Sequence, residues 1–517
     1  MNNNYQKDMY RQMEELFAKV EALESTVKKQ ATVIKQTKAE NESLLGAVRT
    51  LTGRLEKRET ELSEARDVMD QLANRLERLE KENALLKEEN TRLKSDRDNN
   101  SGNSSNPPSS DRTGGKKANS YNARKKSGKK HGAQPGHKGT TLSAETAKEL
   151  IAQGNCKHEI CVCGDSSTGS FSTKYEIDID IETKIIEYRI YEGADRKGLP
   201  RGSVFYGEKL KALAAELYGV GVVSVQRIQD IIHSITNGII SISAGAIYGF
   251  CRKLSDLARP TLEKIETTIL DGNVAYTDAT VVTIDGRQAY IRNVSNSKAV
   301  RYYAMEHKNL EEMKKLTLLS KFAGIFVHDH ETSMYHFGTG HGECNVHILR
   351  YLLKNTEDSA NTWSGKLSAL LYEMKEARDK AVENAKGQSL PEQEIEQFIH
   401  RYDEILKLGL SENQSTRPKW AKKEELALLN RLTKYKDNHL LFIRQFEVAF
   451  SNNMSERDLR KCKNRQKVAG GFRSYEGCKM YADILSVIET AKRLDLNVFD
   501  TILAIFHGQQ PLNASLG

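Results

Sequence analysis

From residue 13 to residue 97, apolar side chains recur at alternating steps of three and four. Val20, Val27, Ile34, Val48, Leu55, Leu62, Met69 and Leu76 share one heptad position with Asn41, Asn83 and Asn90, and Leu16, Leu23, Leu44, Leu51, Leu72, Leu79, Leu86 and Leu93 share the other. A stripe sustained over about eleven heptads, with Glu, Lys and Arg between, predicts a coiled coil, because a lone helix cannot bury so narrow a seam. Asn at the first position favours two parallel strands in register, so the expected partner is a second copy of the chain.

The periodicity stops at Asp98. Residues 98–142 are rich in Ser, Asn, Gly and Pro and hold almost no large aliphatic side chain, which predicts a disordered linker. Between Arg112 and Lys138 stand nine Lys or Arg and no acid, among them Arg124, Lys125, Lys126, Lys129 and Lys130. Such an arm is suited to tracking nucleic-acid phosphates. Residues 143–206 are expected to form a small β segment, in which "KYEIDIDIETKIIEYRIYEG" alternates as two strands. The same segment carries Cys156, His158, Cys161 and Cys163, which are zinc-type ligands. Their Cys-x-Cys spacing is tighter than the usual knuckle and no second knuckle follows, so zinc and plain reduced cysteines both stay open.

Residues 207–258 change to a helical period. A helix ending near Tyr218 and Gly219, a short helix carrying Arg227, a turn at Gly238 and a Ser243-capped helix carrying Arg252 resemble a helix-turn-helix, with three ordinary packing helices as the alternative. Next comes the buried-strand pattern "NVAYTDATVVTI" with Asp278 at its middle, then the strands "RQAYIRNVSN" and "VRYYAMEHK", a helix over "NLEEMKKLTLLSKF", and the strand "AGIFVHDHETS" ending at Asp329. Three antiparallel strands, a helix and a parallel strand predict the opening half of a ribonuclease-H-like α/β domain. The overall class is thus multidomain α+β: coiled coil (1–97), basic linker (98–142), β segment (143–206), helical DNA-binding region (207–258), and a ribonuclease-H-like domain in two parts (259–345 and 446–517) around a helical insertion (346–445).

A carboxylate in a buried strand is expensive unless something pairs it. Asp278 and Asp329, joined by Glu456 from the later helical stretch "SNNMSERDLRKCKNRQKVAGGFRS", are oxygen ligands suited to Mg2+ or Mn2+. Three such groups can hold two ions for in-line phosphoryl transfer. Each acid also has a plainer reading: Asp329 competes with Glu331, Asp278 with Asp271 and Asp285, and Glu456 with Arg460 is a common surface pair.

The hydrophobic fraction of 38% is low for one large globule of 517 residues, in keeping with an extended region. Seven scattered cysteines argue against a disulfide framework, and no apolar run is long enough for a membrane span. A cytoplasmic, nucleoid-associated chain without membrane partners is expected. The net charge of +8 is modest, but the basic residues cluster.

Several of these motifs together resemble the insertion sequence 66 family of transposases: "NSSNPPSSD" at 103–111, "GAQPGHKGTTL" at 132–142, "YTDAT" around Asp278, "VHDHETSMY" around Asp329, "CNVHILRYL" at 344–352, "SNNMSERDLR" around Glu456 and "LSVIETAKRLDLN" near the end. The resemblance implies a DDE transposase that binds and cuts double-stranded DNA at the terminal inverted repeats of its element and joins it to a target. Asp278, Asp329 and Glu456 would be its metal-binding triad. It also implies that Cys344, His347 and Arg350 form a family signature, and it admits small accessory proteins of the same element as partners. The i, i+3, i+6 spacing of these three residues puts them along one helix face, where either His347 and Arg350 touch phosphate or the scissile site or the helix simply packs and leaves a surface Arg. The first motif reads "DAT" where the family more often has "DET". Arg457, Arg460, Lys461, Lys463, Arg465 and Lys467 are expected to grip phosphates beside the metals. The rival readings are a non-catalytic DNA-binding coiled-coil protein and a nuclease that cuts without joining.

Overall fold

The computed structural model describes residues 62–98, 143–154, 156–163, 172–192, 202–359, 361–384 and 387–516, with isolated positions elsewhere. The first half of the heptad stretch, nearly all of the linker, and Arg124, Lys125, Lys126, Lys129 and Lys130 lie outside the described residues. The chain divides into two units, residues 1–97 and 98–517.

In the first unit, α1 (Leu62–Asp98) is one uninterrupted helix of 37 residues. Met69, Leu76, Leu86 and Leu93 from its heptad positions are exposed. No described helix is long and apolar enough to cross a membrane.

The second unit opens with α2 (Ala144–Ala152), whose N-terminus is capped by Ser143 Oγ accepting from the Thr146 amide. The two strands expected after it do not form. Residues 172–192 carry no strand ladder, and Ile177, Ile179, Ile181 and Ile185 are exposed. Alternation predicts a strand only if a neighbour supplies the cross-strand hydrogen bonds, and none does so among the described residues.

The helical region follows its pattern closely. α3 (Glu208–Gly219) ends where expected, α4 (Val225–Ile235) carries Arg227, Gly238 turns at φ +78°, and Ser243 caps α5 (Ala244–Leu257). α6 (Arg259–Leu270) starts with Pro260 in its first turn and delivers the chain to the sheet.

The sheet has five strands: β1 (Val274–Ile284), β2 (Arg287–Ser295), β3 (Val300–Met305), β4 (Ile325–His328) and β5 (Gly340–Glu343), in the order β3-β2-β1-β4-β5. β1–β2 and β2–β3 are antiparallel, and β1–β4 and β4–β5 are parallel. Asp285 (φ +49°) and Gly286 (φ +73°) make the tight β1–β2 turn, left-handed conformations that Asp and Gly tolerate. The single helix expected between β3 and β4 is two short ones, α7 (Leu310–Lys314) and α8 (Thr317–Lys321), separated where Leu316 adopts extended backbone. β4 can approach β1 because Gly324 precedes it: a Cβ there would lie 2.3 Å from the Asn273 carbonyl oxygen. β5 was not expected, its Gly340-His-Gly-Glu text giving no apolar alternation.

After β5 the insertion supplies α9 (Asn345–Ser359), α10 (Trp363–Glu383), α11 (Glu392–Asn413), α12 (Lys419–Lys434) and α13 (Lys436–Arg444). These build a core around Trp363, Tyr402 and Phe442 that also takes in Tyr276 and Val327 of the sheet. α14 (Asn453–Ala469) then crosses β1 and β2, α15 (Tyr475–Arg493) lies on β3, and α16 (Val498–Phe506) and α17 (Asn513–Leu516) close the chain. A second core joins α3 to α6, the sheet and α14 to α17 in one apolar cluster. The helices before the sheet therefore share its core.

Candidate active site

β1 is the middle strand of the sheet, and Asp278 sits near its centre, paired across the antiparallel ladder with Asn293. The Asn293 side chain fixes that stretch: its Oδ1 accepts the Asp278 amide at 3.1 Å, and its Nδ2 donates to Asp458 at 3.1 Å. On the other side, β1 runs parallel to β4 with Val274 opposite Ile325 and Tyr276 opposite Val327. Continued two residues, that register sets Asp329 beside Asp278. The two carboxylates interact strongly. Burial first and the Asp329 charge second push Asp278 up to about 7, while the burial of Asp329 is outweighed by the charge of His347 and by the polar groups of Asn452 and Cys344 around it, which hold it below its usual range.

Glu456 arrives from the first turn of α14. That helix begins at Asn452, whose side chain does not cap it but donates through Nδ2 to the Thr277 carbonyl at 2.9 Å, fastening the helix start to β1 one residue before Asp278. His347, in the first turn of α9, bridges the acids. Its Nδ1 is 3.3 Å from Asp329 Oδ1 and its Nε2 is 3.9 Å from Glu456 Oε1, with Arg350 Nη1 at 3.2 Å from the same Nε2. Against the pull of burial, Asp329 and Cys344 raise His347 well above its ordinary pKa. The contact with Asp329 is off the hydrogen-bond direction, so both Asp329 Oδ1 and His347 Nδ1 are buried without a hydrogen-bond partner.

The competing acids are accounted for by their partners. Glu331 is forked by Arg292 at 2.6 and 2.7 Å and approached by Lys308 at 3.6 Å. Asp458 is forked by Arg493 at 2.6 Å on both oxygens, and Glu343 takes Arg431 at 2.7 Å. Asp285 belongs to the hairpin turn and Asp271 caps the end of α6. Among the described residues, Asp278 has no ion-pair partner, and Asp329 and Glu456 have only His347. A site whose surrounding acids are neutralised, while Asp278 and Asp329 lie side by side and Glu456 meets Asp329 through His347 without a Lys or Arg paired to them among the described residues, attracts a cation.

The profile of the Transposase IS66 family matches residues 203–480, more than half of the chain. The chain belongs to that family. A family of unknown function (DUF6444) matches residues 5–143, and no curated protein matches the chain. The family match encloses the sheet, the insertion and α14, so every acid just described falls within it.

The remaining expected site residues of this transposase are spread differently. Arg227 on α4 and Arg252 on α5 are exposed. On α14, Arg457, Arg460 and Lys467 are exposed along one face, with Lys461 and Lys463 half-buried beside them. Arg465 departs from its expected role at phosphates. It is buried, stacked over Tyr218 at 4.3 Å and Tyr481 at 5.4 Å, and donates to the Val223 carbonyl, so it clamps α14 to α3 and α15. One position in a helical run of basic residues must face the core, and the pattern alone did not say which. His347 is buried on the carboxylates rather than open to solvent, with Arg350 behind it. Cys156, His158, Cys161 and Cys163 are exposed, and their ligand atoms form no metal-sized cluster.

Asn293, Arg292 and Asn452 were missed by sequence reasoning. Asn452 had a signal, standing four residues before Glu456 at the position that starts the helix. Asn293 and Arg292 had none, because their importance comes from the cross-strand register.

Proposed function

We propose that this transposase is a DDE enzyme: a Mg2+- or Mn2+-dependent DNA strand-cleaving and strand-joining catalyst that works at the terminal inverted repeats of its insertion sequence through Asp278, Asp329 and Glu456. The observation that carries the reading is that the β1–β4 register sets Asp278 beside Asp329, just past the end of β4, and that His347 lies against both Asp329 and Glu456 of α14, with no Lys or Arg among the described residues paired to the three acids. The strand order β3-β2-β1-β4-β5, antiparallel on one side of β1 and parallel on the other, supports a ribonuclease-H-like catalytic domain.

The donor set fits divalent cations. Asp329 Oδ1 is buried without a hydrogen-bond partner, and burial and the Asp329 charge push Asp278 up to about 7 against the weaker opposing pull of Lys308 and Arg292. Carboxylate oxygens suit Mg2+ and Mn2+, which when bound activate the attacking water or 3′-hydroxyl and stabilise the leaving oxygen. The chain's own groups do the rest. Asn293 and Asn452 hold Asp278 and the start of α14 in place, His347 orients Asp329 and Glu456, and the exposed cations of α14 grip phosphates beside the site. Arg227, Arg252 and the basic arm of residues 112–138 hold the flanking duplex.

The test is cleavage of a labelled duplex carrying the element's own end in Mg2+ or Mn2+. Asp278→Ala, Asp329→Ala and Glu456→Ala are each expected to abolish cleavage while duplex binding persists. Cleavage surviving in one variant removes that residue from the triad, and a wild type that binds its ends but never cuts them favours the non-catalytic reading.

Pairing of two element ends calls for two copies of the chain, and the exposed Met69, Leu76, Leu86 and Leu93 of α1 support dimerisation through a coiled coil. Light scattering should report a dimer for the full chain and a monomer once residues 1–97 are removed; a dimer that survives the truncation assigns assembly to the rest of the molecule.

A further inference from the structure

The acids leave one nearby group without a role. Cys344 is fully buried at the end of β5, where the β4–β5 register of His328 opposite Glu343 continues to set it beside Asp329. Its Sγ, one nitrogen of His347 and one oxygen of Asp329 lie within 4.8 Å of one another, and they come from three different elements: the ends of two parallel strands and the first turn of α9. His347 is nine-tenths buried, and its Nδ1 has no hydrogen-bond partner although it faces Asp329 Oδ1, which has none either. Cys344 Sγ accepts the Asn452 amide at 3.2 Å, the kind of contact that orients a thiolate toward a metal.

Thiolate, imidazole and carboxylate together are a ligand set for zinc, whereas Mg2+ takes oxygen and has little use for sulfur. Tetrahedral bonds of about 2.0 to 2.3 Å put ligand atoms roughly 3.5 Å apart, so the three groups need only small side-chain movements to close on an ion. We propose that Asp329, Cys344 and His347 form a soft-metal site that takes Zn2+, with water as fourth ligand, and that its occupancy withdraws Asp329 from the hard-cation site. On binding, the Cys344 thiol gives its proton to solvent and the sulfur forms the bond to the metal. Zinc is then an inhibitor of DNA cleavage that acts through a residue outside the triad. The inhibition rests on the DDE reading, but the binding does not.

Co2+ in place of Zn2+ makes the binding visible, because a cobalt–thiolate bond gives a charge-transfer band that oxygen and nitrogen ligands do not. The full chain carrying Cys156→Ser, Cys161→Ser and Cys163→Ser, which silences the other thiols near a histidine, should keep the band and lose it when Cys344→Ser is added. Zn2+ should displace the cobalt, and Cys344→Ser should weaken Zn2+ binding by at least about 100-fold, since losing a ligand costs more than losing its supporting contact. His347→Gln is a second variant for the same readout should Cys344→Ser fold poorly. A band that never forms, that survives Cys344→Ser, or that vanishes with the three N-terminal cysteines overturns the proposal. Failure of the wild type to cut DNA in Mg2+ without zinc would count against the DDE reading alone, leaving the cobalt result to decide this one.

Discussion

Asp278→Asn is expected to give a transposase that is inactive and, in metal-free solution, more stable than the wild type. The β1–β4 register sets two buried carboxylates side by side, and among the described residues no Lys or Arg pairs directly with Asp278, Lys308 and Arg292 favouring its charge only from beyond ion-pair distance. Asp278 is pushed up to about 7 by burial and by Asp329, against about 3.9 in an unfolded chain. Between those values the folded protein holds a proton that the unfolded chain has released. Stability without metal therefore falls as pH rises from about 4 to about 7, by at most about 4 kcal/mol, and is flat above. Asparagine carries no charge to repel Asp329, so the variant should lack that slope. Divalent metal should raise the melting temperature of the wild type at pH 8 and leave that of the variant nearly unmoved. Cleavage should fall by on the order of 1,000-fold or more, in line with the loss of a group that stabilises transition-state charge. Melting curves from pH 5 to 8, with chelator and with Mn2+, decide it. An equal pH slope in both proteins would mean that the two acids do not share one electrostatic site.

Four of the five strands were legible in the sequence because their signals were local, and β5 was not. β1 to β4 each carry an apolar run bounded by turn residues, and the helices at 208–257 carry their own caps at Ser224 and Ser243. The two aspartates were legible because a charge inside such a run is anomalous. Register was not legible. Nothing local says that Asn293 faces Asp278, that Arg292 reaches Glu331, or that Arg465 turns inward while Arg457 and Arg460 turn outward on one helix. Those facts depend on which strand lies beside which and on the rotation of α14 over the sheet. The alternation at 174–191 misled for the same reason, since a strand is defined by its neighbour as much as by its own side chains.

Arg292→Met should be among the most destabilising single changes in the molecule, and its repair should be specific. Arg292 is completely buried on β2. It donates to Thr277 Oγ1 at 3.1 Å, lies against the sulfurs of Met313 and Met334, and forks Glu331 two residues beyond Asp329. Methionine keeps the apolar stem among those sulfurs but ends short of the guanidinium, so the main loss is the charge and its hydrogen bonds. Glu331 is then a half-buried carboxylate with only Lys308, 3.6 Å away, to answer it. Removing one partner of a buried pair costs about 3–5 kcal/mol, and Lys308 should bring the value to the low end, about 3 kcal/mol in urea unfolding. Glu331→Gln added to Arg292→Met removes the stranded charge and should recover most of that loss; a double variant no better than the single one would show that the guanidinium matters for packing instead. The pair also has a bearing on the acids. With Arg292 gone, Asp278 loses one of the positive charges that favour its ionised form, and Glu331, held by Lys308 alone, becomes a fourth carboxylate available beside the proposed triad. The single variant should therefore bind Mn2+ with altered stoichiometry or affinity while the double variant binds as the wild type does. In this reading Arg292 keeps Glu331 out of the proposed metal site, and the choice of Asp329 over its neighbour two residues on is made by an arginine on β2, across β1 from the strand that carries Asp329.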